Sequence, residues 1–291
     1  MIRDFTKWDD TPVSLQHFAQ STVRAYKIAM TPPYGPVMIS LDAGLQQAPI
    51  GPSNGEKLYI PKYTPTSPPA GEMGAVREAA KMLAEANNPV IATSRGARTE
   101  NGVRLLVQLA ELLQARVIDT GERMNFPKTH HLSAGPPAVA NADVILGMEM
   151  NDFWALVNQW TDNGSNHGHG FNQQRMKNGT KLISINSVDL NTKANYQDFQ
   201  RFQAVDIAMA ADAQATLPML IEEVKRAIGN DKKAAIEKRG EAAKKAHADV
   251  QVRARQAAAI AWDAQPISTG SVASASAAMA MSTAWKRWKS W

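Results

Sequence analysis

The side chains of this 291-residue chain that could do chemistry lie in polar loops between apolar runs. The stretch TSRGARTENG, residues 93–102, follows a strand-like run and precedes a helical one. At such a turn a parallel α/β sheet can aim backbone N–H groups at a phosphate. Arg95, Gly96 and Arg98 would be the contacts, with Thr120 and Gly121 beside them at the next strand end. The letters are not a GxGxxG, and an ordinary surface loop with a helix-starting turn fits them as well.

His130 and His131 follow NFPKT in a loop. A metal would need a further ligand at helical or hairpin spacing, and nothing nearby supplies one. A structural role is expected. His167 and His169 stand two apart in NGSNHGHGFNQQ, where one strand face could hold a metal weakly, but the composition is that of a plain polar loop. Glu149 and Asp152 in GMEMNDFW lie at a strand end, where α/β ligand sites gather. Asp152 is also placed to cap a helix over FWALVNQW, and the cap is the expected role. Glu122 in TGERMNFP is open to the same two readings. The chain has no cysteine, which excludes disulfides, thiolate metal sites and cysteine nucleophiles. No residue is assigned as catalytic or as a metal ligand.

The elements that must position these loops follow from periodicity. GAVREAAKMLAEA, NGVRLLVQLAELLQA and DAQATLPMLIEEVKRAI are amphipathic helices, and NNPVIATS, RVIDT, ADVILGM and KLISINS are short buried strands. Their alternation predicts an α/β domain with a doubly wound parallel sheet, Rossmann-like, over residues 75–229. Ahead of it, Ser14 caps a helix carrying Leu15, Phe18, Val23 and Tyr26, stopped by Pro32 and Pro33. A strand over residues 37–41 follows, expected to be covered on both faces. Only 13 residues precede that helix, too few for the strands such a pair needs, so residues 1–47 read as a partial α/β domain. The rest of its sheet is expected to belong to another chain or to be missing. Residues 48–74 are dense in Pro and Gly and read as an extended surface linker.

A net charge of +5 invites a nucleic-acid reading. Much of the excess lies in residues 225–255, interleaved with acids and free of aromatics, which is a solvated helix face rather than a stacking surface. Neither a signal sequence nor an apolar run of about 18 residues is present, so a cytoplasmic protein is expected. Residues 230–269 continue as a helix and a connection. Residues 270–291, ending WKRWKSW, are expected to be a frayed or frame-shifted tail rather than a membrane contact.

Several segments, in order, resemble thiamine diphosphate enzymes of the acetolactate synthase type. RAYKIAMTPPYGPVMISLD resembles the closing helix and strand of their pyrimidine-binding domain. AAKMLAEANNPVIATSRGAR, LAELLQARVIDTGERMNFPKTHH, ANADVILGM, KLISINSVDL and DAQATLPMLIEEV are similar to successive pieces of their central domain, and WDAQPIST to the connection into the pyrophosphate-binding domain. The resemblance implies a lyase or transferase that decarboxylates or ligates 2-keto acids with thiamine diphosphate and Mg²⁺. It also implies that the cofactor-activating glutamate lies upstream of these residues. The Gly-Asp-Gly metal motif belongs to the third domain, and the sequence contains none. The expectation is therefore an incomplete enzyme chain, inactive alone. It would work with copies of itself or with complementary thiamine diphosphate-enzyme subunits, and without nucleic acid or membrane. Alternatives are a non-catalytic subunit of a split enzyme, or a nucleotide-binding module holding FAD or ADP at Arg95, Gly96, Arg98, Thr120 and Gly121, as some family members do. The family often places a histidine near His130 at subunit contacts.

Overall fold

The computed structural model describes residues 3–50, 57–121, 123–161, 171–191 and 201–260. Six parallel strands form the main sheet: β3 (Pro89–Thr93), β4 (Arg116–Asp119), β5 (Ser133–Ala134), β6 (Val144–Met148), β9 (Lys181–Ile185) and β10 (Ile207–Met209). Across the sheet they run β10-β9-β6-β3-β4-β5. Renumbered within the sheet, that order is 3-2-1-4-5-6, the Rossmann arrangement. The two central strands, PVIAT and VILGM, are buried along their whole length. Pro89 pairs with Val144 and Thr93 with Met148, so β3 and β6 end level. From there the chain leaves β3 toward β4 and β6 toward β9. This is the switch point, where a crevice opens beyond the strands' carboxyl ends.

The two faces of the sheet are covered unequally. Ile91, Leu146, Met148 and Ile183 pack under Leu83, Leu106, Leu113 and Leu217. These come from α3 (Met73–Glu85), α4 (Glu100–Leu113) and α6 (Ala213–Ala227), which all lie on one face. Val90, Ile118, Ile145 and Leu182 face the other way, against Val139, Leu156 and Val157. Among the described residues, a 3-10 turn (Pro136–Asn141) and the five-residue α5 (Phe153–Val157) supply most of that cover, with Met150, Met176 and Val205 beside them. The helix expected over FWALVNQW ends early. Asn158 Nδ2 donates to the Trp154 carbonyl at 3.0 Å, and the chain turns into β7 (Asn158–Thr161), which pairs antiparallel with β8 (Phe171–Gln174).

At the front, β1 (Trp8–Asp10) and β2 (Val37–Ile39) pair in parallel, with α1 (Leu15–Ala29) as the crossover between them. A strand therefore precedes α1, which periodicity alone did not show because it is only three residues long. Lys7 Nζ caps the carboxyl end of α1, donating to Ile28 O at 3.0 Å and Thr31 O at 2.6 Å. A cation there also meets the negative end of the helix dipole. β2 is half-buried rather than covered on both faces.

The Pro-rich connector is tied at both ends. Gln16 exchanges two hydrogen bonds with the backbone of Tyr59, at 2.7 and 2.9 Å. Farther along, Asp212 N donates to Pro69 O at 2.9 Å and Gly71 N to Thr216 Oγ1 at 3.0 Å. Short α2 (Ala43–Gln47) precedes it, capped by Asp42.

The last element, α7 (Asn230–Ile260), anchors to the domain through Arg239. Its guanidinium donates to the Leu113 carbonyl ending α4, to Gln114 O at 3.3 Å, and to Asn87 O beyond α3 at 2.7 Å. Gly240 lies against the Gln114 side chain with no room for a Cβ. Among the described residues no helix is long and apolar enough to cross a membrane. Charged hydrogen bonds contribute about 1.5–3 kcal/mol, so Arg239→Ala is expected to lower the unfolding free energy by about 2 kcal/mol and to expose α7 to protease. Unchanged urea unfolding and digestion would contradict the anchor.

Candidate functional site

The loop after β3 passes close under the end of β6. A Cβ on Gly96 would meet Thr93 Oγ1 at 2.6 Å and the Met148 Cβ at 3.1 Å, so only glycine lets the backbone through. Four successive N–H groups of this loop are donated to side chains. Gly96 N reaches Thr93 Oγ1 at 3.0 Å and Ala97 N reaches Asn125 Oδ1 at 3.1 Å. Arg98 N and Thr99 N share Gln214 Oε1 at 2.8 and 3.1 Å. Thr99 then caps α4, accepting from Gly102 N at 3.1 Å.

Beside the loop sits a buried charge cluster. The side chains of Arg98, Glu149 and Asp212 are 9%, 4% and 1% exposed. Arg98 Nη2 is paired with Asp212 Oδ2, and Nη1 lies 3.8 Å from Glu149 Oε1. Asp212 also caps α6, accepting from Ala215 N at 2.8 Å. Glu149 directly follows β6 with φ +48°, a left-handed conformation that costs a residue with a Cβ about 1–2 kcal/mol. Its carboxylate bridges three loops: Oε1 accepts from Ala213 N at 2.9 Å, and Oε2 from Ser187 N at 3.1 Å and Ser187 Oγ at 2.7 Å. Burial pushes the Glu149 carboxyl above its usual range, opposed by these donors and by Arg98. The Tyr34 ring, from the turn before β2, lies 5.0 Å from the guanidinium carbon of Arg98 and joins the front unit to the cluster.

The neighbouring loop after β4 is organised by Asp119. Its carboxylate accepts from Gly121 N, Asn125 N and Phe126 N, at 2.8–3.1 Å. Asn125, fully buried, ties this loop to the first by donating to Ser94 O at 2.8 Å. Of the residues singled out in the sequence, Gly96 and Arg98 lie inside the crevice. Thr120 bonds Ser94 Oγ at 2.9 Å, Gly121 adopts φ +89°, and Arg95 is exposed at the rim. Asp152 caps α5, accepting from Ala155 N at 2.8 Å. Glu122, His167 and His169 lie outside the described residues. Sequence reasoning missed Asp119, Asn125, Ser187, Asp212 and Gln214. Only Asp212, immediately ahead of an apolar-periodic helix, carried a usable signal, that of an N-cap.

Residues 76–220 match the family model of the thiamine pyrophosphate enzyme central domain. The chain belongs to that family through its central domain. It is 21% identical to the acetolactate synthase large subunit of Corynebacterium glutamicum over 208 residues, covering 71% of this chain and 31% of that protein. It is 34% identical to a probable sulfoacetaldehyde acetyltransferase of Rhizobium meliloti over 111 residues, 33% of this chain and 19% of that one. Benzoylformate decarboxylase from Polynucleobacter necessarius shares the fold with a TM-score of 0.59 at 19% identity, over 77% of this chain and 39% of that one. The chain thus spans less than half the length of these relatives.

At the other end of the central domain, His130 and His131 stack with ring centroids 4.5 Å apart. Leu132 N donates to His130 Nδ1, so Nε2 carries the proton and donates to Glu111 at 3.1 Å. Among the described residues, no three His, Cys, Asp or Glu gather as a metal site. On the thinly covered face, a cavity of about 330 Å³ is lined by Trp154, Ser184, Asp189 and Ala208, and Arg201 stacks over Trp154 at 4.8 Å.

Two measurements test this geometry. Breaking a buried ion pair by removing one partner costs about 3–5 kcal/mol, and Arg98→Met, which leaves two carboxylates facing each other, is expected to cost that much in urea unfolding. A variant as stable as the parent would contradict the cluster. The pKa of His131 is lowered from 6.5, first by burial and then by His130, Lys244 and His247, against Glu111. A lowered histidine contributes stability that is complete above 6.5 and lost as pH falls through the folded value. Melting temperature is therefore expected to drop more steeply on acidification below 6.5 in the parent than in His131→Phe. Parallel profiles would contradict this.

Proposed function

We propose that this chain provides the central domain, and part of a pyrimidine-binding domain, of a cytoplasmic thiamine diphosphate-dependent enzyme acting on 2-keto acids, and does not turn them over by itself. In this reading residues 1–47 close the pyrimidine-binding domain and residues 48–74 connect it to the central domain, 75–229. Residues 230–269 lead toward the pyrophosphate-binding domain; residues 261–291, with the expected connection and the tail at 270–291, lie outside the described residues.

The observation that carries the reading is the front unit. Among the described residues β1 and β2 pair only with each other, leaving both edges of a parallel two-stranded sheet without partners. So small a sheet presents unpaired backbone N–H and C=O groups along both edges. It calls for further strands from another segment or subunit, a second copy or a complementary thiamine diphosphate-enzyme chain. Family membership and the acetolactate synthase relative support the reaction type. Thiamine diphosphate supplies the electron sink for the carbanion left on decarboxylation. Its diphosphate is held through Mg²⁺ by hard oxygen ligands. The described residues offer no such set, and no Gly-Asp-Gly occurs in the sequence, so the groups present do not fit that site.

Purified chain supplied with thiamine diphosphate, Mg²⁺ and pyruvate is expected to consume no pyruvate above a protein-free control. It is also expected to elute on size exclusion above its 31.6 kDa monomer mass, because the open strand edges associate. Steady pyruvate consumption by the chain alone would contradict the proposal.

A further inference from the structure

We infer that the switch-point crevice of this central domain is closed to nucleotide phosphates because the protein's own carboxylates already fill its anion-binding positions. This goes beyond the proposed function and does not depend on turnover.

A phosphate at such a crevice draws on three sources of positive charge: loop N–H groups, a helix N-terminus and a cationic side chain. Here each one is engaged internally. The N–H groups of Gly96, Ala97, Arg98 and Thr99 are committed to Thr93, Asn125 and Gln214. The N-terminus of α6 donates through Ala213 N to Glu149 and through Ala215 N to Asp212. The first turn of α4 donates through Gly102 N to Thr99.

Arg98, the cation, faces both carboxylates and lies under the Tyr34 ring. Its Nε is the one atom of the cluster buried without a partner, a single N–H against the several donors a phosphate needs. One guanidinium against two carboxylates leaves the buried cluster itself no net positive charge, and Arg123, exposed beside it, is engaged with the Arg98 carbonyl at 3.0 Å. Asp212 and Glu149 thus stand where the oxygens of a bound anion would, and admitting a phosphate would mean displacing them from α6 and Arg98 together. Arg95, Thr120 and Gly121 do not reopen the site. Arg95 stands at the exposed rim, Thr120 is bonded to Ser94, and Gly121 N is held by Asp119 at 3.0 Å.

The test is equilibrium dialysis and thermal shift on the full chain with ADP, FAD and inorganic phosphate. No saturable binding and no change in melting temperature are expected at millimolar ligand. Saturable one-to-one binding of ADP or FAD would overturn the inference. A second arm uses Asp212→Asn, in which the amide oxygen can still cap α6 while one internal anion is gone. Inorganic phosphate is expected to raise the melting temperature of this variant by several degrees while leaving the parent unmoved. A folded variant indifferent to phosphate would overturn the inference. Should the variant not fold, dialysis of the parent still decides.

Discussion

Arg98 can be buried at the carboxyl edge of a parallel sheet only if anions are buried with it, since an isolated charge in that setting is prohibitively costly. Asp212 and Glu149 meet the requirement, and each is fixed by a second duty. Asp212 starts α6, and Glu149 holds Ser187 and the first N–H of the same helix. The ends of β3, β6 and β9 and the start of α6 are thereby held in one arrangement. The left-handed turn at Glu149 is strained by itself and is stabilised by the donors it reaches.

The front unit depends on the same point. Tyr34 lies over Arg98, and the connector joins the chain again at Asp212 and Thr216, within one helical turn of the cluster. The described part of the Pro-rich stretch is therefore held to α1 at Tyr59 and to the start of α6 at Pro69 and Gly71. At the opposite end, Arg239 plays a comparable part with neutral partners, gathering carbonyls at the ends of α3 and α4. One cation organises each end of the domain.

The central strands and three long helices were legible in the sequence because their periodicities are unbroken over many residues: β3 and β6 as continuous apolar runs, α3, α4 and α6 as amphipathic faces. The elements that escaped were short. β1, β5 and β10 span two or three residues, below the length at which alternation can be told from chance. The early end of α5 depended on a side-chain bond from Asn158, which no pattern announces. The site was half legible. The TSRGAR turn and Glu149 were placed at strand ends correctly, but periodicity says nothing of which loops meet. Gln214 and Asp212 lie more than a hundred residues from the loop they bind, and Asn125 reaches it across a neighbouring strand. A glycine and two arginines in a βα turn suggested phosphate binding; the N–H groups of Gly96 and Arg98 are donated to the side chains of Thr93 and Gln214.

The most direct measurement is a double-mutant cycle on Arg98→Met and Asp212→Asn, read by equilibrium unfolding. Contacting residues in one charge network couple by about 0.5–3 kcal/mol, and a pair this buried is expected near the top of that range. A coupling energy indistinguishable from zero would mean that the cluster does not hold the switch point together, and the account built on it would fail.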